Sequence, residues 1–245
     1  MEPFPIPAPA FDGNSRVVAA GSGFEWLGQG WAIFMVNPGL WVAISLLLIV
    51  IFIALNIIWL VGPMAANLLT PLAGAGFLTL CQKASDTGAF GIEDVFAGFR
   101  INTNNLVILG VIYMGTLVVA DALVALLVGG SMVGGLMMGS PAGFGLLLGG
   151  SMIALLFKLA LLVPLSMAMW FAPSLVFFNN MAPVEALKAS FNACLKNTLP
   201  FLVYGLMVMV LLFFAALPVG LGFLVLIPVL SGSIYVSYRD IFVAN

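Results

Sequence analysis

At 245 residues the chain has the length of one or two soluble domains, but 63% hydrophobic and 7% charged residues with a mean hydropathy of +1.24 exclude a soluble surface. Globular domains carry roughly 25% charged residues, and seven Lys and Arg with nine Asp and Glu cannot cover a sphere of this size. A net charge of −2 without a basic stripe excludes nucleic acid as a partner, and the absence of His removes the usual general base and the usual zinc ligand.

Charge-free runs mark the bilayer, because a helix crossing a ~30 Å hydrocarbon core needs about 20 apolar residues. Residues 26–82 are uncharged for 57 positions, enough for two spans divided at Gly62-Pro63 beside Trp59. They predict helices over 39–61 and 63–82. The third span is expected over 104–128. The 22 residues 129–150, nine of them glycine, then read as a loop on the far side, with a re-entrant segment or a self-association surface as alternatives. The fourth span is expected over 151–178. Residues 197–238, uncharged for 42 positions and divided by Pro218 and Gly220, complete the set at 198–217 and 219–238. The chain is thus expected to be an all-α polytopic membrane protein with six transmembrane helices.

Six spans put both termini and the 83–103 and 179–197 connections on one side. That side holds Arg16, Lys83, Arg100, Lys188, Lys196 and Arg239, and the other holds no cation, so both ends are expected in the cytoplasm. The Pro-rich start lacks the cationic lead of a signal peptide, and residues 1–20 are expected to be a disordered tail before one transmembrane domain, 21–245.

The segments before the odd-numbered spans align without gaps: FEWLGQGWAIFMVN from Phe24, IEDVFAGFRINTNN from Ile92 and VEALKASFNACLKN from Val184. The first position is apolar, the second is Glu25, Glu93 or Glu185, and the fourth is apolar. The seventh is small, the eighth is Trp31, Phe99 or Phe191, and the fourteenth is Asn37, Asn105 or Asn197. Apolar positions at i, i+3 and i+7 predict one stripe on a short interfacial helix. The chain then reads as three units of elbow helix plus two spans, about 22–83, 90–180 and 182–242. Pro71, Pro173 and Pro228 recur in the even-numbered spans, expected in the half that returns to the elbow side. The three Glu form either a ring of carboxylates or first-turn residues that complement helix dipoles. The three Asn are expected to cap the junction between elbow and span, and the three aromatics to anchor it at the interface.

Asp121 and Lys158 are the ionisable residues inside predicted spans, where an unpaired charge costs at least ~2.5 kcal/mol. Each lies eight residues from the glycine segment, placing both about 12 Å below the same boundary on consecutive helices. They are expected to form an ion pair, structural or part of a relay. Asn56 and Asn67 are expected to bond across the first hairpin. Small residues at 73–76 and 231–233 predict close helix approach. Cys81 and Cys194 lack metal or redox spacing and should both face the reducing side, so no disulfide is expected.

Gly30-Trp31 with Phe34, Asn37-Pro38-Gly39 with Trp41, Phe96-Ala97-Gly98-Phe99, Phe171-Ala172-Pro173 with Leu175-Val176, Ser190-Phe191 with Cys194, and the closing Tyr238-Arg239-Asp240-Ile241-Phe242 carry a likeness. Over about residues 24–242 the chain resembles an uncharacterised family of proteobacterial six-span inner-membrane proteins. Its elbow-and-two-spans plan is more remotely similar to the membrane domain of glycerophosphodiester phosphodiesterases, although no catalytic domain accompanies it. The resemblance implies an inner-membrane location and brings no activity, cofactor or ligand set. The function expected is a scaffold or assembly module without catalysis or cofactor. The alternative is a carrier of a lipid-like or small amphiphilic molecule between the units. The expected partners are membrane lipids, with other membrane proteins or a second copy as further candidates.

Overall fold

The computed structural model describes residues 14–58, 61–138 and 140–243. Its helices are α1 (Ser22–Val36), α2 (Pro38–Ile57), α3 (Val61–Asp86), α4 (Thr103–Met138), α5 (Pro141–Asn179), α6 (Pro183–Lys196), α7 (Thr198–Ala216) and α8 (Phe223–Tyr238). A 3₁₀ segment, Ile92–Phe99, precedes α4, and α8 runs on as a π turn, Arg239–Val243. No strand occurs among the described residues. Six helices, α2, α3, α4, α5, α7 and α8, are long and apolar enough to cross a bilayer. The chain is an all-α polytopic membrane protein.

Local chemistry sets the helix starts. Proline occupies the first turn of α2, α5 and α6, where its missing N–H costs nothing. The Asn37 side chain accepts from Leu40 N at 3.2 Å to cap α2, and Ser140 accepts from Gly143 N to cap α5. The α7–α8 turn uses left-handed backbone at Val219 and Gly220. Pro63 falls in the first turn of α3, and Trp59 lies outside the described residues.

The glycine-rich stretch departs from the loop expected of it. Residues 129–138 continue α4 and residues 141–150 begin α5, so the two helices form one hairpin. Glycine costs about 1 kcal/mol in a helix interior. Here that cost is offset by close approach, because a Cβ on Gly143 would meet the Gly135 carbonyl and one on Gly150 would meet Ser131. An apolar setting also penalises any backbone group left outside a helix.

The even-numbered spans α3, α5 and α8 touch one another at the centre, and α8 is the most enclosed span. Pro173 lies in the half of its helix nearer the chain ends, but Pro71 and Pro228 fall in the opposite halves of α3 and α8, so the expected common placement does not hold. Asn56 donates to Phe52 O of its own helix at 2.8 Å instead of reaching Asn67.

The two chain ends meet on one face, called here the terminal face. Arg16 N donates to Ile241 O, the Arg16 guanidinium pairs with Asp240, and Trp26 Nε1 donates to the second Asp240 oxygen at 2.9 Å. The buried Asn197 side chain accepts from Val18 N and donates to Arg16 O. Arg16 and Val18, within the stretch expected to be a disordered tail, are thus held by hydrogen bonds. Residues 1–13 lie outside the described residues.

Candidate functional site

Three short helical segments precede α2, α4 and α7, and each docks on the even-numbered span before it, the first closing the circle onto α8. The seventh position of the aligned segments makes each contact. A Cβ on Gly30 would strike Val229 O and Ser233 Oγ of α8, and one on Gly98 would strike Leu72 O of α3. Ser190 instead inserts a hydroxyl into the ladder of α5, accepting from Phe171 N at 2.9 Å and donating to Met167 O at 2.7 Å. Small size and a satisfied hydroxyl are the two ways to bring one backbone against another.

The predicted single stripe resolves into two. The fourth and seventh positions face inward, with Leu27, Gly30, Val95, Gly98 and Ser190 buried. The first position is exposed in all three segments (Phe24, Ile92, Val184), as is the eighth at Trp31 and Phe99, while Phe191 is half-buried. Residues seven apart share a helix side, so these apolar side chains form an outward edge. The periodicity could not tell an inward from an outward apolar edge.

Glu25, Glu93 and Glu185 stand exposed in the first turns of their segments. The aligned asparagines take different places. Asn37 caps α2, whereas Asn197 ties down the N-terminal segment. Asn105 lies within α4, where the expected cap position is filled by Asn102. Asn102 has left-handed backbone (φ 53) and donates to Val176 O at 3.0 Å, a tie that no repeat position signalled.

Lys83 Nζ lies 2.7 Å from Asp94 Oδ1, which pins the 3₁₀ segment to the end of α3. Partial burial raises the Asp94 carboxyl. The Lys83 hydrogen bond, the Gly91 N–H and the charges of Lys83 and Arg100 outweigh it and hold the pKa below the usual carboxylate range. Both cysteines are free and buried, and burial pushes the Cys194 thiol up to about 12.

Asp121 and Lys158 meet on the flank of the α4–α5 hairpin, with Nζ 2.7 Å from Oδ1. The pair is not in a core: the Asp121 side chain is 62% exposed and that of Lys158 37%. Gly110 of α4 sits against Leu68 of α3. The far end of α3, Val61, is seven residues beyond Leu68, level with residue 117 of α4 and four short of Asp121. The pair therefore stands beyond the far end of α3, on the outer flank of the hairpin.

Beyond it the hairpin continues for 17 residues on each helix, 122–138 and 141–157, about 25 Å at 1.5 Å per residue. This arm has no charged residue, and Leu126, Leu136 and Met137 are exposed, Met137 by 83%. The 36 residues of α4 make about 54 Å. Even a 40° tilt leaves ~41 Å of depth against a ~30 Å hydrocarbon core.

Two apolar concavities open between spans. One of about 360 Å³ lies between α2 and α3 above the 3₁₀ segment. Another of about 460 Å³ lies where α3, α4, α5 and α8 meet, among Pro71, Tyr113, Ser166 and Trp170. A more polar cleft of about 500 Å³, with Glu25, Gln29, Arg239 and Asp240 in its wall, opens on the terminal face.

Over 225 residues the chain is 31% identical to a probable inner membrane protein of Burkholderia thailandensis, a match covering 89% of this chain and 82% of that protein. The chain belongs to that family of inner-membrane proteins. No family profile matches it, and no solved structure does. These comparisons lend no support to the remote phosphodiesterase likeness. This family member is an integral, multi-pass inner-membrane protein. The relative's printed name carries no activity.

Proposed function

We propose that the protein is a non-enzymatic interaction module of the inner membrane, with its terminal face in the cytoplasm and the α4–α5 arm as its contact surface. The observation that carries this reading is the charge-free arm beyond the Asp121–Lys158 pair. An apolar helical surface outside hydrocarbon needs a cover, and a protein helix or a second copy of the arm supplies one. Gly129, Gly130, Gly145 and Gly149, with open space where a Cβ would stand, suit close approach of such a helix. The six cations on the terminal face against none in the far turns support the orientation. The three elbow segments, docking in cyclic order, are read as one triplicated unit.

Native mass spectrometry of protein released directly from membranes tests the module. The expected result is a stable homo-oligomer or a reproducible protein partner. It is lost when Leu126, Leu136 and Met137 are all replaced by Gln, while the melting temperature stays the same. A bare monomer in both forms overturns the reading.

A second reading, a binder of a lipid-like amphiphile, is favoured by the apolar concavities between spans. It places the ligand in the bundle and leaves the arm as passive apolar surface.

A further inference from the structure

The cleft on the terminal face is walled by three elements. Glu25, Gln29, Ile33 and Val36 follow one another at helical spacing along one face of α1, and the ends of α3 and α8 supply the rest. The bond from Trp26 Nε1 to Asp240 at 2.9 Å ties α1 to the end of α8. Trp26, Ala84, Tyr235 and Val236 are buried and make an apolar base, whereas Glu25, Gln29, Ser85 and Arg239 are exposed and make a polar rim. The volume of about 500 Å³ falls within the ~300–1,000 Å³ of small-ligand sites.

That rim carries both signs of charge, and they do not cancel each other. Glu25 makes no ion pair among the described residues. Arg239 lines the same cleft, with its guanidinium 5.9 Å from the centre of the Tyr235 ring and Nη1 4.0 Å from Asp86 Oδ1. Both members of that pair are half-exposed, and so long and wet a contact holds the guanidinium weakly. Asp240, the remaining charge in the wall, is already spent, one oxygen on Arg16 and the other on Trp26. A simple anion here meets Glu25 and Asp86, and a simple cation meets Arg239 and Arg16. A molecule with both signs satisfies both sides.

We propose that the cleft binds a zwitterion of the phosphoethanolamine type, its primary ammonium on Glu25 and the Gln29 amide oxygen and its phosphate on Arg239. A primary ammonium has N–H donors for those oxygens, and the guanidinium presents donors in the fork that fits a phosphate. α1 leads directly into the span α2, which sets the cleft beside the bilayer surface, where phosphate head groups are concentrated. The same chemistry comes free in water or as the head of a lipid. The site rests on neither the arm nor the concavities between spans, so it stands or falls apart from both readings above.

The purified full chain in detergent is titrated with phosphatidylethanolamine, and with phosphatidylcholine and phosphatidylglycerol of the same chains, and retained adducts are counted by native mass spectrometry. Phosphatidylethanolamine is expected to be retained about tenfold better than either, the scale of one charge-assisted hydrogen bond. Glu25→Gln should bring it down to the phosphatidylcholine level without changing the latter. Arg239→Gln should lower phosphatidylethanolamine and phosphatidylcholine alike, since both carry the phosphate. Ser85→Trp, an exposed rim position, should block the cleft and lower retention with a wild-type melting temperature. Glycerophosphoethanolamine, the same head without chains, displaces the lipid where the ligand is a soluble zwitterion and leaves it bound where the lipid is the ligand; either result supports the site. Equal retention of the three lipids in wild type overturns the proposal, as does phosphatidylethanolamine retention that Glu25→Gln, Arg239→Gln and Ser85→Trp all leave unchanged.

Discussion

The terminal face and the α4–α5 arm are built from the same residue classes, glycine, serine and large aliphatics, yet they solve opposite problems. On the terminal face three small residues are consumed by internal contacts, Gly30 on α8, Gly98 on α3 and Ser190 on α5, and three ion pairs join charges within the chain. In the arm the glycines bring two helices together, but the aliphatics beside them point outward with nothing from this chain over them. Small residues thus fix geometry in both regions. What separates them is charge, which the terminal face carries beside its outward apolar edge and the arm lacks.

That contrast can be broken most severely at Gly98. Replacement by Leu drives a side chain into the Leu72 backbone, which cannot yield as a flexible side chain would. A loss at or above the upper end of the ~1–3 kcal/mol range for overpacking is expected, read as a large fall in melting temperature and in the yield of monodisperse protein. The equivalent change at Gly145 of the arm, where no atom lies near an added Cβ, should be tolerated.

Ser190→Ala comes next. It removes the hydroxyl that joins Phe171 N to Met167 O and leaves both to find other partners, at a cost of about 1–3 kcal/mol. Ser190→Thr, which keeps the hydroxyl, should retain more stability than Ser190→Ala. Cys194 reports on the same elbow. Its buried thiol, pushed up to about 12, should react with a thiol reagent only after unfolding in wild type and sooner in Ser190→Ala.

A smaller effect separates the two ion pairs by pH. Asp94 is held below the usual carboxylate range when folded, so its stabilisation is full above the unfolded carboxylate pKa and fades as pH falls through the folded one. Asp94→Asn should flatten the acid side of a stability–pH curve and lower stability at neutral pH. The smallest effect is expected at the arm's base. Asp121 and Lys158 are both more than a third exposed, so after screening a double-mutant cycle with Asp121→Asn and Lys158→Gln should return no more than about 1 kcal/mol. A coupling well above that would place the pair in a drier setting than the far edge of the bundle.

Much of this was legible in residue order. Charge-free runs and their breaks located six spans because a bilayer imposes a length and a composition on any helix that crosses it. The spacing between Asp121 and Lys158 put them at one level on neighbouring helices, as antiparallel geometry requires. Less legible was the fate of residues 129–150, where nine glycines read as a break. Glycine's helix penalty is a local quantity, whereas the contacts of Gly143 and Gly150 that offset it lie across the hairpin. The fourteenth aligned position failed at Asn105 for a related reason. The 3₁₀ segment ends in a turn of its own, so α4 starts directly after Asn102, whose side chain ties to α5 instead.

Sequence alone determined the environment, the all-α class and the number of spans, because these follow from composition and run length, which no folding event can change. Tertiary structure decided which apolar edge of each elbow faces inward, that the elbows dock in cyclic order, and that the hairpin outruns the bundle with its ion pair at the rim. Those features depend on the distance between residues far apart in the chain, and a periodic pattern gives a direction around one helix without saying what stands opposite.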